Sequence, residues 1–204
     1  LISKWPARGG PALVETDDRA IVYFAAGIWP SDGIYLYALD AASGDILWQN
    51  TDSGYINMPQ PHGGAVAESG ISAQGYLVAS NDRLLVPTGR AVPAALDRND
   101  GTFEYFHLQQ FGQNGGSAAM AYGPAFFNGG GAYRLDDGQR ILSIGTGPLA
   151  ATENGCVRAS GTTIESYDLE TTMTYDRLSQ PVESLAANKL WTKTFSAPCV
   201  SLIT

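Results

Sequence analysis

The amino-acid sequence predicts an all-β protein built from repeated four-stranded antiparallel units. Short apolar and aromatic segments alternate with turns rich in Gly, Pro, Asp and Ser, which is typical of strands that follow one another closely. The 204 residues include 24 glycines and 11 prolines without a collagen-like period. One turn motif also recurs with the same internal spacing. These observations favour a repeated β architecture.

The first unit covers about residues 11–50. The segment RAIVYFAAG at 19–27 is β-branched, aromatic and bounded by polar residues, so it predicts a buried strand. Further strands are expected at 11–15, 34–40 and 45–50. Four short strands separated only by turns predict an antiparallel meander.

A second unit repeats this order over about residues 75–108. Its strands are expected at 75–80, 83–89, 92–97 and 102–108. The segment between the first two units, 51–72, is interpreted as an inserted loop.

A third unit, at about 117–195, is less regular. Its candidate strands lie at 117–122, 140–146, 163–169 and 189–195, with insertions at about 147–162 and 170–188. The segment 199–204 is interpreted as the start of a fourth unit, and 181–190 is the best candidate for a short helix.

Repeated four-stranded antiparallel units are the signature of a β-propeller. We therefore expect residues 1–204 to be part of a single propeller domain of about three and a third blades, with an open β-sandwich as the alternative. A blade needs a neighbour on each side to bury both of its faces. The missing blades are expected from elsewhere in the same protein or from another chain, and the abrupt ends of the sequence suggest a fragment.

The repeated turn motif has a structural explanation. ALDAASGDILW at 38–48 aligns with ALDRNDGTFEY at 95–105. The aspartate of each copy is expected to accept backbone hydrogen bonds, and the glycine to adopt a positive φ. The small alanine leaves room for the large aromatic residue that closes the motif. The expected docking residues are Ala38, Asp40, Gly44 and Trp48, then Ala95, Asp97, Gly101 and Tyr105, and finally Trp191.

The pattern A-x-D-x-x-x-G-x-x-x-W resembles the tryptophan-docking motif of the quinoprotein alcohol dehydrogenase-like propellers, the PQQ-binding-like repeat family. Ala38, Asp40, Ser43, Gly44 and Trp48 match it position by position. The second copy has tyrosine in place of tryptophan, and the third keeps only its tryptophan. The resemblance covers most of residues 5–108, where the sequence is also similar to PQQ-like propeller proteins of planctomycete-type bacteria. The motif joins neighbouring blades in that family, so it indicates the fold more than the function.

The resemblance implies two functions. The family includes non-catalytic scaffolds, such as an outer-membrane assembly lipoprotein, and quinone-dependent dehydrogenases. We expect a non-catalytic binding or protein-interaction module of an exported bacterial protein, located in the periplasm or outside the cell. The alternative is the propeller domain of a quinone- or haem-linked oxidoreductase whose active residues lie mostly outside this segment. The vicinal cysteine pair and the calcium ligands of the dehydrogenases cannot be placed on this sequence, so PQQ with calcium is expected only under the alternative.

Charge and composition exclude several other classes. The net charge is −8 and the 12 basic residues are scattered, which disfavours a nucleic-acid partner. No apolar stretch approaches the roughly 18 residues of a membrane span, and no signal peptide is visible in this segment. Cys156 and Cys199 could form a disulfide or remain two separate thiols. Neither histidine, His62 nor His107, has metal-ligand spacing.

The candidate ligand site is a mouth of the central channel. Loops that lead into the first strand of each blade, and turns between its second and third strands, are expected to meet there. The residues at these positions are Arg8, Trp29, Gln74 and Arg90. Arginine and tryptophan together suit a small anionic or sugar-like ligand, although Trp29 could equally pack on a blade and Arg90 bond turn carbonyls. The glycine-rich segments 129–134 and 145–147 lack the strand–helix context of a phosphate site.

Overall fold

The computed structural model describes residues 6–28, 33–60, 64–89, 91–107, 115–152, 155–175 and 177–202. These residues form four four-stranded antiparallel sheets and one two-stranded sheet, and none of them is helical. Blade 1 consists of β1 (Ala7–Glu15), β2 (Ala20–Ile28), β3 (Gly33–Asp40) and β4 (Ile46–Asn50). A hairpin of β5 (Ile56–Pro59) and β6 (Val66–Ser69) follows.

Blade 2 consists of β7 (Val78–Ser80), β8 (Arg83–Val86), β9 (Ala94–Asp97) and β10 (Phe103–Tyr105). Blade 3 consists of β11 (Ala119–Tyr122), β12 (Ala125–Asn128), β13 (Gly131–Arg134) and β14 (Arg140–Ser143). Blade 4 consists of β15 (Leu149–Thr152), β16 (Gly155–Ser160), β17 (Thr163–Tyr175) and β18 (Pro181–Thr194). Within each blade the strands pair in chain order, which is the arrangement of a β-propeller.

The structure divides the third predicted unit, 117–195, into two sheets. The segments 117–122 and 140–146 belong to blade 3, whereas 163–169 and 189–195 belong to blade 4. Two short strands of blade 3, β12 and β13, lie between 117–122 and 140–146 and were not predicted from the sequence. Their connecting turn is a glycine run, and Arg134 replaces the aspartate of the motif. Residues 199–202 form no strand.

Two other segments differ from the expectations. The inserted loop at 51–72 contains the β5–β6 hairpin, whose strands pair from Ile56 with Ser69 to Pro59 with Val66. The helix candidate at 181–190 lies within β18, which pairs with β17 along its whole length. Tertiary pairing with a long neighbouring strand therefore overrides local helix propensity there.

The first strands of successive blades lie side by side. Gly10 N donates to Gly75 O at 3.0 Å, and Leu77 N donates to Gly10 O at 2.9 Å, which joins blade 1 to blade 2. Strand β7 in turn contacts β11, and β11 contacts β15. This arrangement places the first strand of every blade on the same, inner side of the arc.

The hydrophobic core is divided among the junctions between blades. One cluster joins blade 1 to blade 2 around Tyr23, Trp48 and Leu84. A second joins blades 2 and 3, and a third joins blades 3 and 4. Because each sheet is covered by its neighbour, blade contact provides most of the apolar burial.

Candidate functional site

The turn between the last two strands of blade 1 (turn 1, residues 40–45) is held by its aspartate. Asp40 Oδ1 accepts hydrogen bonds from the backbone N–H groups of Ser43 and Ala42, both at 2.9 Å. These bonds, that of Ser43 first, hold the pKa of the Asp40 carboxyl below its ordinary value. Gly44 closes the turn with φ of +78° and donates its N–H to Asp40 O.

Trp48 lies against the equivalent turn of blade 2 (turn 2, residues 97–101). Its side chain is 8% exposed, and its Nε1 donates to Arg98 O at 2.8 Å. A Cβ at Gly101 would lie 2.5 Å from the indole ring, so a residue larger than glycine would displace the ring. The ring of Tyr23 packs on its other side, with centroids 5.9 Å apart.

Tyr105 makes the same contact with blade 3 (turn 3, residues 134–138). Its hydroxyl donates to Leu135 O at 2.8 Å, and a Cβ at Gly138 would lie 2.6 Å from its ring. Burial of this phenol raises its pKa. Turn 3 has Arg134 where the other turns have aspartate, and the Arg134 side chain is paired with Asp137. That replacement explains why the sequence pattern missed this turn.

A second polar contact accompanies each aromatic residue, two positions further along the strand. Asn50 Nδ2 donates to Gly101 O at 2.9 Å on turn 2. His107 Nε2 lies 2.6 Å from Asp137 O on turn 3. The junctions between blades 1 and 2 and between blades 2 and 3 thus each have an aromatic ring over a glycine and a polar side chain on a turn carbonyl.

All four blades share the local geometry that presents this aromatic position. The last strand contains one extra residue just before a position that pairs with a small residue of the third strand. The pairs are Trp48 with Ala38, Tyr105 with Ala95, Leu142 with Ala132, and Trp191 with Ser166. Trp191 is therefore structurally equivalent to Trp48, but it is 42% exposed because it faces away from blade 3.

The four residues expected at the channel mouth are only partly described. Trp29 and Arg90 lie outside the described residues. Arg8 is half-exposed on β1, opposite Ala25 of β2. Gln74 is exposed beside Gly89, and its Nε2 donates to Ser72 Oγ at 3.4 Å. The structure shows no ligand contact for either, and their binding role remains a prediction.

A cleft of about 490 Å³ lies between blades 3 and 4. It is formed by the loop before β11, the β12–β13 turn and the loop before β15. Loops at these positions of a blade are the ones that the sequence predicts at the channel mouth. We call it the glycine-lined cleft because its walls are the segments 116–120, 127–131, 144–149 and 200–202, which include six glycines at 116, 129, 130, 131, 145 and 147. The sequence showed these glycines, but not that they meet.

Asn128 fixes one wall of the glycine-lined cleft. Its side chain is 3% exposed, and its Nδ2 donates to Gly116 O at 2.9 Å and to Ala118 O at 2.8 Å. Its Oδ1 is buried without a protein hydrogen-bond partner. Gly130 allows the opposite wall to approach closely, because a Cβ at Gly130 would lie 2.9 Å from the carbonyl group of Gly145.

An ion-paired arginine of blade 4, Arg158, binds the backbone of one wall of the cleft. The guanidinium of Arg158 donates to Ile144 O at the lead into β15 and pairs with Glu165. Glu165 also binds Lys189 and accepts a hydrogen bond from the Tyr167 hydroxyl at 2.9 Å. These partners, Lys189 first, lower the pKa of Glu165 to about 2. The charges are thus used within blade 4 rather than presented to the cleft.

The alternative of a calcium-bound quinone requires a site for the metal ion, which was sought among the described residues. Nowhere among them do three His, Cys, Asp or Glu side chains come together to hold a metal ion. The two cysteines, whose pairing the sequence left open, are free thiols. Cys156 is buried, and burial raises its pKa to about 11. In the described part of the chain no helix is long and apolar enough to cross a bilayer.

Comparison with solved structures supports the β-propeller fold. BamB from Moraxella catarrhalis superposes with a TM-score of 0.50 at 16% identity, covering 94% of this chain and 65% of that one. The designed protein Ika8 gives 0.43 at 14% identity, with coverages of 97% and 65%. A europium-containing methanol dehydrogenase gives 0.41 at 16%, with coverages of 82% and 37%. The chain thus spans less than two thirds of each. No protein-family model and no curated protein matches the chain.

Proposed function

We propose that this propeller is a non-catalytic binding module and that the glycine-lined cleft holds an uncharged, extended segment of a protein partner. The observation that supports this is the chemistry of the lining. Every side chain that lines the cleft is apolar, a hydroxyl or an amide, and none is ionisable. Such a lining lacks the acids, bases and nucleophiles that most hydrolytic and transfer reactions need.

The shape and polarity of the cleft suit a peptide backbone. Glycine turns expose N–H and C=O groups to a ligand, since no side chain covers them. The lining also includes an apolar wall, against which small side chains of the peptide can pack, formed by Met120, Phe127 and Leu149. An extended peptide gains its affinity from backbone hydrogen bonds and its specificity from alternate side chains in such sites.

The test is binding of fluorescein-labelled peptides of about ten residues, measured by polarisation. We compare a Val/Ser alternating peptide with Glu/Ser and Lys/Ser peptides of the same length. The uncharged peptide should bind most tightly, because the lining offers no charge to compensate desolvation of an ion. Thr146→Trp, which places a large ring at an exposed lining position, should abolish that binding.

Asp18→Trp is the matched control, since Asp18 is exposed on the β1–β2 turn of blade 1 and is not among the residues that line the cleft. It should leave peptide binding unchanged. Equal affinity for charged and uncharged peptides, or binding that survives Thr146→Trp, would exclude the cleft as the site. Binding of small anions or sugars that responds to Arg8→Ala would favour the channel mouth of blades 1 and 2 instead.

Export to the periplasm or cell exterior is part of the proposal and rests on the resemblance to the PQQ-like repeat family. The free thiols withdraw the support that a disulfide would have given. The oxidoreductase alternative has a direct test, which is dye reduction by the purified protein with added PQQ and calcium. Activity in that assay would contradict a non-catalytic module.

A further inference from the structure

The β17–β18 hairpin extends beyond the rest of blade 4. Strand β17 pairs with β16 only as far as Asp168, which lies opposite Gly155. It continues to Tyr175 and is paired there with β18 alone. We call residues 169–175 and 181–187 the arm. Among the described residues no strand pairs with the second edge of β17 in the arm, and we call this the free edge.

The arm is held in place at its root, and the propeller itself does not fill the free edge. Leu169 and Leu185 are buried in the cluster that joins blades 3 and 4. A neighbouring blade packs on the face of a sheet, whereas an edge is continued only by another strand of the same sheet. Blade 4 already has its four strands. The free edge is therefore not a junction for another blade, however many blades the protein contains.

The backbone groups that point out of the free edge belong to alternate residues. A Cβ at Gly155 would lie 2.0 Å from Tyr167 O, so this carbonyl points towards β16. The direction of the backbone groups alternates along an antiparallel strand. The N–H and C=O groups of Thr171, Met173 and Tyr175 therefore point to the same side as those of Tyr167, where β16 has ended. The groups of the residues between them point to β18.

The free edge lacks the features that prevent a strand from pairing with other proteins. Proline, lysine and bulges are the common protective features of edge strands. The opposite edge of the hairpin, on β18, has all three: Pro181, two lysines and an extra residue at Leu190. The sequence of residues 169–175, LETTMTY, contains none of them and is rich in threonine and aromatic residues that favour strands. Its register with β18 is regular.

We propose that the free edge binds an extended segment of a protein partner, which joins blade 4 as an additional strand. Its backbone would bond the outward groups of Thr171, Met173 and Tyr175. Its side chains on one face would pack on Met173 and Tyr175, which are 59% and 74% exposed. On the other face a lysine or arginine would pair with Glu170, the single charged residue of the free edge. The partner segment thus alternates apolar residues with polar and basic ones.

This site is separate from the glycine-lined cleft. The cleft is lined by the loop before β15, whereas the arm follows the end of the blade where β17 leaves β16. Strands β15 and β17 run in the same direction, because each is antiparallel to β16. The two sites therefore lie at opposite ends of blade 4, and neither proposal depends on the other.

The test is fluorescence polarisation with a fluorescein-labelled Val/Thr alternating peptide of about seven residues, in which lysine replaces a central threonine. Binding is measured on the parent chain and on Thr146→Trp, which closes the cleft, and we expect it to persist in both. A peptide with every backbone nitrogen methylated should not bind, because it keeps the side chains and loses the donors. Glutamate in place of the lysine should raise the Kd about two- to fivefold, since it would repel Glu170.

A proline in the free edge provides the matching change in the protein. Thr171→Pro removes an outward N–H and keeps the bonds to β18, so it should raise the Kd about tenfold or more. Val66→Pro is the control on the other two-stranded hairpin. Its N–H also points away from its partner strand, because the neighbouring pair is bonded from Gln60 N to Ala65 O. This variant should bind the peptide like the parent, and circular dichroism checks that both variants are folded.

Amide hydrogen exchange provides a readout that does not depend on a variant. The N–H groups of Thr171, Met173 and Tyr175 should exchange rapidly in the free protein and become protected when the peptide binds. The N–H groups of Thr172 and Thr174 should be protected before binding, since they point to β18.

Three results would overturn this proposal. Equal binding of the methylated peptide would exclude pairing through the backbone. Binding that survives Thr171→Pro and leaves the amide of Met173 unprotected would place the peptide elsewhere. No binding up to about 100 µM would also contradict it. If the chain then formed a dimer that Thr171→Pro dissociates, the free edge would pair with a second copy instead of a partner.

Discussion

A single glycine in each turn determines whether a blade can receive its neighbour's aromatic ring. Gly44 and Gly101 have nearly the same backbone, with φ of +78° and +77°. They differ in what lies above them, since only Gly101 is covered by Trp48. Substitutions at these two glycines therefore distinguish the free-energy cost of backbone strain from the cost of a side chain that clashes with the docked ring.

We therefore predict different costs for Gly44→Ala and Gly101→Ala. Both substitutions place a side chain in the left-handed region, at about 1–2 kcal/mol each. Gly101→Ala also drives a methyl group into the indole ring, which adds about 1–3 kcal/mol, as overpacking does. Urea unfolding, at a concentration where the chain is monomeric, should give the lower midpoint for Gly101→Ala. Equal midpoints would show that Trp48 does not rest on turn 2.

Trp48 itself should carry a large part of the stability of the junction between blades 1 and 2. Replacing it with alanine removes a ring that is 8% exposed and leaves Arg98 O without its donor, so we expect a loss of about 3–5 kcal/mol. Trp191→Ala is the control, and in the monomer it should cost about 1 kcal/mol or less because the ring is 42% exposed. A Trp48→Ala chain that melts like the parent would contradict the docking role.

At the scale of the element, blade 4 is held partly by charge. Glu165 joins β17 to β16 through Arg158 and to β18 through Lys189. The carboxylate is favoured in the folded state, since its pKa is lowered from an ordinary 4.5 to about 2. Its contribution to stability is therefore complete above pH 4.5 and is lost as the pH falls towards 2.

We predict that Glu165→Gln destabilises the protein at neutral pH and that this difference disappears in acid. At pH 7 the variant leaves Arg158 without its carboxylate, whereas at about pH 2 the parent carboxyl is half protonated in the folded state and most of its contribution is lost. Urea midpoints at pH 7, 4 and 2.5 should converge for the two proteins. Glu170→Gln, at an exposed position on the same strand, should follow the parent throughout. A gap that stays constant with pH would exclude the ion pairs as its cause.

The sequence predicted those elements whose signals are local. The strands of blades 1 and 2 follow apolar runs between turn residues, and Asp40 and Gly44 identify a turn by their own chemistry. Blade 3 was missed where Arg134 replaces aspartate and Leu142 replaces the aromatic residue. Its turn still forms, because the backbone hydrogen bond from Gly138 N to Arg134 O needs no particular side chain at 134.

At the scale of the whole molecule, position along the arc matters more than residue type. Trp48 and Trp191 share a local pattern, yet Trp48 is buried and Trp191 is exposed, because among the described residues only Trp48 has a following blade to pack on. The glycine-lined cleft is likewise assembled from segments between 116 and 202. A sequence with one recognisable motif per blade does not indicate which distant glycines will face one another.

The arc also predicts how the protein should respond to losing a blade. Each hydrophobic cluster joins only two adjacent blades, so a chain of residues 1–144 retains the first two clusters and loses the partners of the third. In such one-dimensional assemblies stability is roughly a sum of blade and junction terms. The truncated chain should therefore fold. Its urea m-value should be about a third smaller than that of the full chain, because the m-value is proportional to the surface exposed on unfolding.

The newly exposed face of the truncated chain provides a second readout. Phe127 is 3% exposed in the full chain and contacts blade 4 through the third cluster. Without blade 4 it and its neighbours form an apolar surface, which should bind the dye ANS while far-UV circular dichroism still reports β-structure. Phe127→Ser in the truncated chain should reduce the dye signal. An unfolded truncated chain would instead show that the three junctions form one cooperative unit and that stability is not additive along the arc.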